Sequence, residues 1–527
     1  MSEKSDINTE STVSISELEE IIAAKDKEIE ALRLRIERLH EIILNAQRAR
    51  FGQSSEKKKY VLPDQTSYFN EAEAEQDVKA PEPTPEKVHV EAHERSKKST
   101  VDEKTADLPV KKIILELPEK EQKCEQCGAP LTMIGKKLAR RELEFIPAHL
   151  RVIEYYTCSY ACHECEKKTG EGYVISTVAP KPLMKHSMAS PSSVATVMTR
   201  KYADGLPLAR QEKIWKREGI ELSRATMANW VIRCSEDWLK PIYRRMKYHL
   251  HTGKVIHGDE TVVQVLKEPG KPAQSESRMW VYASGQRDAR QVRFFEYQPD
   301  RKGRRPIEFL KGFKGCLVSD GYAAYQNIPD VTPCGCWAHM RRKWRDAMPK
   351  GATTQTSQAA VGYEYCNKLF SLERHFADMT DENRRIMRQL KAAPLLDAYW
   401  SWVEKLDPVP GSKLSEAVTY AKNQKEYLTA FLEHGEADIS NNTAENAIRP
   451  FVIGRKNWLF SDTVKGANAS SIVYTIVETA KANGIEPYAY LHKLLSILPT
   501  LGKTPPNEEL DKLMPWSPEM QYMLTTI

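Results

Sequence analysis

The chain lacks long apolar runs. Nothing in its 527 residues approaches the roughly 20 consecutive apolar side chains that cross a bilayer, which argues against a helical membrane protein. The N-terminus carries acids and hydroxyls where a secretory leader would be basic and then apolar. A cytoplasmic protein with no membrane partner is expected. A dominant charge is missing too: 78 Lys and Arg face 72 Asp and Glu, a net +6, modest for the size. The ten cysteines do not read as a disulfide framework. Cys124, Cys127, Cys158, Cys162 and Cys165 crowd into about forty residues, as metal ligands do. Cys234, Cys316, Cys334, Cys336 and Cys366 are scattered, as small core residues are. A chain of this length exceeds one core, so several domains are expected.

What is present centres on Val255–Leu266, an apolar, β-branched run of strand type with Asp259 and Glu260 in its middle. Acids inside a buried strand are costly unless paired or holding a metal. A second apolar run, Gly315–Ser319, ends on Asp320, and Glu445 opens a helix after an Asn or Thr cap. Two strand-borne aspartates and a helix-borne glutamate suit an oxygen cage for two Mg²⁺ (or Mn²⁺) ions, as phosphodiester chemistry requires. Side chains alternate along a strand, so Asp259 and Glu260 face opposite ways and only one can enter such a site. Pattern alone does not choose. Residues 301–350 hold eleven Lys or Arg against four acids, a net +7 beside Asp320, which suggests a polyanionic substrate or else a solvated basic face.

In chain order, Ile15, Ile22, Ile29, Ile36 and Ile43 recur every seven residues, with Leu18, Leu32 and Leu39 interleaved and Lys25 as the polar interruption. This predicts a parallel two-stranded zipper over residues 1–50, hence a homodimer. Residues 51–110 read as a basic segment and a Pro/Glu/Lys-rich linker. Residues 111–180 read as a zinc-ribbon-like module. The pairs Cys124/Cys127 and Cys162/Cys165 would hold one structural Zn²⁺ tetrahedrally, with Cys158 and His163 spare and a redox pair the minority reading. A strand is expected over Leu150–Cys158.

Residues 181–251 are helical. A short turn before Ser223, a plausible N-cap, gives a helix-turn-helix layout exposing Arg224, Asn229 and Arg233, with a plain helical connector as the alternative. From 252 to 466, three strands, a helix and a further strand follow the ribonuclease-H-like order. His339, Arg341, Arg342, Lys343 and Arg345 form a basic helix suited to DNA phosphates, with Trp344 available to stack on a base. Residues from about 350 to 437 read as an inserted helical subdomain. Arg449 lies one turn beyond Glu445, and Pro450 is expected to kink or end that helix, leaving Arg455 and Lys456 nearby; all three are expected to contact DNA. Residues 467–527 form a C-terminal helical domain. The fold class is thus multidomain α/β.

Nearly the whole chain resembles the transposases of the insertion-sequence 66 family. The likeness is carried by Phe51-Gly-Gln-Ser-Ser-Glu, the two CxxC pairs, Leu206-Pro-Leu-Ala-Arg-Gln-Glu, Ser223-Arg-Ala-Thr-Met-Ala-Asn-Trp, Asp259-Glu-Thr and Asp320-Gly-Tyr-Ala-Ala-Tyr. It continues through Cys336-Trp-Ala-His-Met-Arg-Arg-Lys-Trp, Asn441-Asn-Thr-Ala-Glu-Asn-Ala-Ile-Arg-Pro and Asn483-Gly-Ile-Glu-Pro. Met340 and Trp344 stand where the family more often has a small residue and a Phe. The resemblance implies a DDE transposase using Asp259, Asp320 and Glu445, and it selects Asp259 over Glu260. It also implies DNA as partner, companion proteins of the same element, and a bacterial, nucleoid-associated setting. The rivals are a non-catalytic dimeric DNA-binding protein or repressor and a structure-specific nuclease on the same fold.

Overall fold

The computed structural model describes residues 15–51, 150, 152–156, 159–162, 173–176, 181–349 and 351–525. Helix α1 spans Ile15–Phe51, and a two-stranded antiparallel sheet pairs β1 (Ser159–Cys162) with β2 (Tyr173–Ser176). Residues 152–156 carry no regular structure, and Val152 and Tyr156 stand exposed. The expected strand therefore starts later, at Ser159, where a partner strand exists.

Four helices follow: α2 (Pro191–Tyr202), α3 (Leu208–Arg217), α4 (Arg224–Cys234) and α5 (Lys240–His251), the last two joined by a π turn. Ser190 caps α2 through a reciprocal box with Ser193. Ser223 caps α4, accepting from Thr226 N at 3.1 Å, as its position before the helix predicts.

The central sheet contains β3 (Val255–Lys267), β4 (Glu276–Ser284), β5 (Arg293–Gln298), β6 (Gly315–Ser319) and β7 (Val331–Gly335), in the order β5-β4-β3-β6-β7. β3 lies antiparallel to β4 and parallel to β6, and β6 is parallel to β7. A three-residue strand, β8 (Ser461–Thr463), extends the end of β3. Helix α6 (Arg304–Phe309) leads into β6.

After α7 (Trp337–Ala347), the helical insertion runs through α8 (Gln358–His375), α9 (Asp381–Met387), α10 (Ala393–Glu404) and α11 (Lys413–Thr429). The chain then returns as α12 (Asn442–Trp458), α13 (Val464–Ala482), α14 (Pro487–Leu501), α15 (Asn507–Lys512) and α16 (Pro518–Thr525).

Register explains which side chains meet. On one face of the sheet, Asp259, Val281 and Phe295 align across β3, β4 and β5, and Phe295 stacks on Tyr474 of α13. On the other, Glu260 aligns with Trp280, whose ring meets Tyr325, while Tyr282 stacks on Phe309 at 3.7 Å. Both faces are covered, which is why β3 reads as a near-continuous apolar run. The edge strand β5 is capped by α13: Thr475 and Thr479 hydroxyls accept from Phe295 N and Arg293 N at 2.8 and 3.0 Å. A second core, built on Trp337, Trp344, Tyr399 and Trp400, joins the insertion to Val255, Cys316, Val318 and Cys334 of the sheet.

Candidate active site

Asp259 sits in the middle of β3, and Asp320 immediately follows β6. His257 pairs with Val318 in the parallel register, so continuing that register sets Asp259 opposite Asp320 on the same face. Asp259 Oδ1 accepts from Glu260 N at 2.8 Å, and Asp320 Oδ1 from Tyr322 N at 3.0 Å. Glu445 comes from the first turn of α12, on that same side of β3: Arg455, further along α12, donates to Thr261 and Val262. Burial, then Glu260 and Asp320, with Glu445 contributing, push the Asp259 carboxyl up to about 8. Three acids from two strands and a helix thus share one neighbourhood.

Glu445 Oε2 lies 3.3 Å from Arg342. Its Oε1 lies 3.6 Å from His339 Nδ1, yet both atoms are buried without a hydrogen-bond partner. Although burial opposes its charge, the Cys336 sulfur and the Glu445 carboxylate raise the His339 pKa to about 9. The orphaned Glu445 oxygen is a carboxylate donor, the kind that hard divalent cations such as Mg²⁺ take; among the described residues it stands grouped with Cys336 and His339.

Glu260 is turned to the opposite face. Its carboxylate accepts from Tyr325 Oη at 2.6 Å and from Arg301 at 2.5 Å. The choice between the two adjacent acids depends on which helix covers which face, and a single strand pattern does not contain it.

The basic helix α7 divides its residues. His339 and Arg342, three apart, face Glu445. Arg341 turns to the insertion instead, donating to Asn367 at 2.7 Å and stacking 4.4 Å over Tyr363. Lys343 lies 5.9 Å from the Tyr420 ring, and Arg345 is exposed beside Asp346. Trp344 is fully buried, its indole donating to Tyr399, so it cannot stack on a base. Arg455 likewise spends its guanidinium on the β3 backbone rather than facing outward.

Arg449 and Lys456 are exposed on α12, and Arg224, Asn229 and Arg233 on α4. Helix α12 does not stop at Pro450; it runs on to Trp458. The carbonyl that Pro450 leaves without its helical bond belongs to Asn446, an exposed position where water can serve it.

One network was absent from the sequence reading. Buried His257 puts Nε2 2.9 Å from Asp438 Oδ2 and Nδ1 3.3 Å from Asn441 Oδ1. Asn441 also donates to Gly258 O at 2.8 Å, and its backbone N to Cys336 Sγ at 3.1 Å. These bonds tie β3 to the start of the glutamate-bearing helix. A histidine inside an apolar strand run was the available signal.

Cys124, Cys127 and Cys165 lie outside the described residues, as does the side chain of Cys162, whose backbone closes β1 opposite Tyr173. The zipper seam of α1 shows Ile22, Ile29, Leu32, Ile36, Leu39 and Ile43 exposed. Its polar edge meets the insertion, with Glu37 accepting from Gln358 N at 2.5 Å and Glu41 from Val409 N at 3.1 Å. Among the described residues no helix is long and apolar enough to cross a membrane.

Comparison with known proteins defines a transposase. Residues 186–469 match the model described as "Transposase IS66 family", and 475–516 the "IS66 C-terminal element". Residues 121–166, which contain all four paired cysteines, match the "zinc-finger binding domain of transposase IS66", and 38–113 the "Transposase C of IS166 homeodomain". The chain belongs to the IS66 transposase family.

Relatives include two uncharacterized proteins of Sinorhizobium fredii. One, y4qI, is 30% identical over 77% of this chain and 75% of its own length. The other, y4hP, is 28% identical over 78% and 75%. The Drosophila P element transposase strand transfer complex aligns at 10% identity and a TM-score of 0.33, over 58% of this chain and 94% of that one.

Proposed function

We propose that this transposase cuts and joins DNA at a DDE site made of Asp259, Asp320 and Glu445. The observation that carries this is that Asp320 and Glu445 lie close enough to Asp259 to add, after burial and Glu260, to the rise of its carboxyl to about 8. The sheet order, with three antiparallel strands followed by two parallel ones, supports a ribonuclease-H-like core. The three acids would hold two Mg²⁺ or Mn²⁺ ions, which in such sites activate the attacking oxygen and stabilise the leaving one.

The chain's own residues orient the reaction. His339 and Arg342, beside Glu445, supply positive charge where a scissile phosphate would lie. Arg224, Asn229 and Arg233 on the Ser223-capped helix would contact the element ends in a helix-turn-helix manner. Lys343, Arg345, Arg449 and Lys456 extend the basic surface. The exposed seam of α1 supports dimerisation as a zipper, and the matched zinc-finger region supports one structural Zn²⁺ on Cys124, Cys127, Cys162 and Cys165.

The test supplies pre-cleaved element ends, a target plasmid and Mg²⁺. Joined product is expected from the wild type and none from Asp259→Asn, which still binds ends. Cleavage without joining would make the chain a nuclease; binding alone would make it a non-catalytic DNA-binding protein.

A further inference from the structure

We propose that Cys316, His434 and Glu436 form a second metal site, distinct from the three acids, which takes Zn²⁺ and pins the exit of the helical insertion to the sheet. The Cys316 sulfur lies 3.8 Å from Glu436 Oε1, and His434 Nδ1 lies 3.4 Å from that same oxygen. All three ligand atoms fall within 4.8 Å of one another. Zinc bonds of about 2.0–2.3 Å give tetrahedral edges of about 3.3–3.8 Å, so Cys316 and His434 each already stand near the separation from Glu436 that the ion demands. A thiolate, an imidazole and a carboxylate select zinc over Mg²⁺ or Ca²⁺, which prefer oxygen alone. The Cys334 thiol stands beside Cys316 on the neighbouring strand and is the candidate fourth ligand.

The site is built before any ion arrives. The loop bearing His434 and Glu436 is fastened by two buried arginines: Arg388 donates to the carbonyls of Phe431, His434 and Ala437 at 2.9, 2.6 and 2.8 Å, and Arg384 to that of Gly435. Both arginines pair with the one carboxylate of Glu373. Gly435 presses so closely on Asp381 that a Cβ would stand 1.7 Å from its carbonyl oxygen. His434 and Glu436 flank that contact. Cys316 is buried, while His434 and Glu436 keep about a third of their side chains exposed, and Glu436 borders a cleft of about 530 Å³, an entry path for the ion. Cys316 precedes Asp320 by four residues on an extended strand, roughly 13 Å, so the two sites do not merge. On binding, the Cys316 thiol releases its proton to solvent and the imidazole binds through a neutral nitrogen.

The test measures zinc per chain by elemental analysis on full-length protein, with Asp259→Asn and Glu445→Gln in every sample to silence the acids. The parent is expected to hold one zinc per chain more than the same protein carrying His434→Gln or Glu436→Gln, both part-exposed positions that leave the fold intact by circular dichroism. With Co²⁺ in place of zinc, Cys316→Ser should lose part of the sulfur-to-cobalt absorbance. Equal zinc content in the parent and in His434→Gln would overturn the proposal and leave these contacts as hydrogen bonds only.

Discussion

His257, buried near the start of the central strand, holds Asp438 at 2.9 Å across 181 residues of chain. That pair and Asn441 join the strand carrying one acid to the helix carrying another. Removing one partner of a buried, hydrogen-bonded pair leaves the other without compensation. His257→Ala is expected to cost about 3–5 kcal/mol in denaturant unfolding, whereas a loss below about 0.5 kcal/mol would mean the pair is idle. The His257 partner holds the Asp438 carboxyl below its ordinary value against the cost of burial. That stability is present above the unfolded carboxyl pKa and is lost as pH falls through the lower folded one, so wild type and Asp438→Asn should converge in acid.

Asp259 follows the opposite sign. Its folded carboxyl titrates at about 8 against an ordinary 3.8. Its contribution is therefore intact below pH ~4 and falls away as pH rises through 8. In chelator, Asp259→Asn should melt higher than wild type by at least about 2–4 °C at pH 8.5, a gap of roughly 1 kcal/mol or more for a domain of this size. The gap should close toward pH 4, and Mg²⁺ should raise the melting temperature of the wild type alone. A pH-independent gap would refute the burial of Asp259 among neighbouring acids.

Trp344 separates packing from DNA contact. Its ring lies against Gly362, where an added Cβ would stand 2.4 Å from the indole. Trp344→Ala should destabilise by about 3–5 kcal/mol, and Gly362→Ala should also destabilise. Trp344→Phe should bind DNA as wild type does. Weakened DNA affinity in a stable Trp344→Phe variant would restore a stacking role.

Arg224 and Arg233 project from α4 into solvent. Replacing both by Ala should leave the melting temperature within about 1 °C, since surface changes are usually small. It should flatten the salt dependence of end binding by roughly two phosphate contacts. An unchanged slope in a mobility-shift titration would remove this helix from the interface.

Much of the region around the three acids was legible in the sequence. The run before Asp320, the Ser223 cap and the apolar stretch around Asp259 obey local rules, because strand alternation and capping act over a few residues. What escaped depends on partners distant in the chain. Asp259 and Glu260 are equivalent until α12 covers one face and Tyr325 the other. Arg341 and Trp344 read as DNA-facing because a basic amphipathic helix does not announce the helices that will bury its second side. Pro450 read as a kink or a stop because the exposure of Asn446, which makes the missing bond inexpensive, is a tertiary fact.

The insertion has a consequence for timing. Glu445 follows Asp320 by 125 residues, most of them in helices that share a core with one side of the sheet. A ribosome that has delivered both aspartates, the basic helix and the Ser223-capped helix has therefore made a protein with no third acid. On the proposed function, nascent chains would engage DNA long before they are able to cut it.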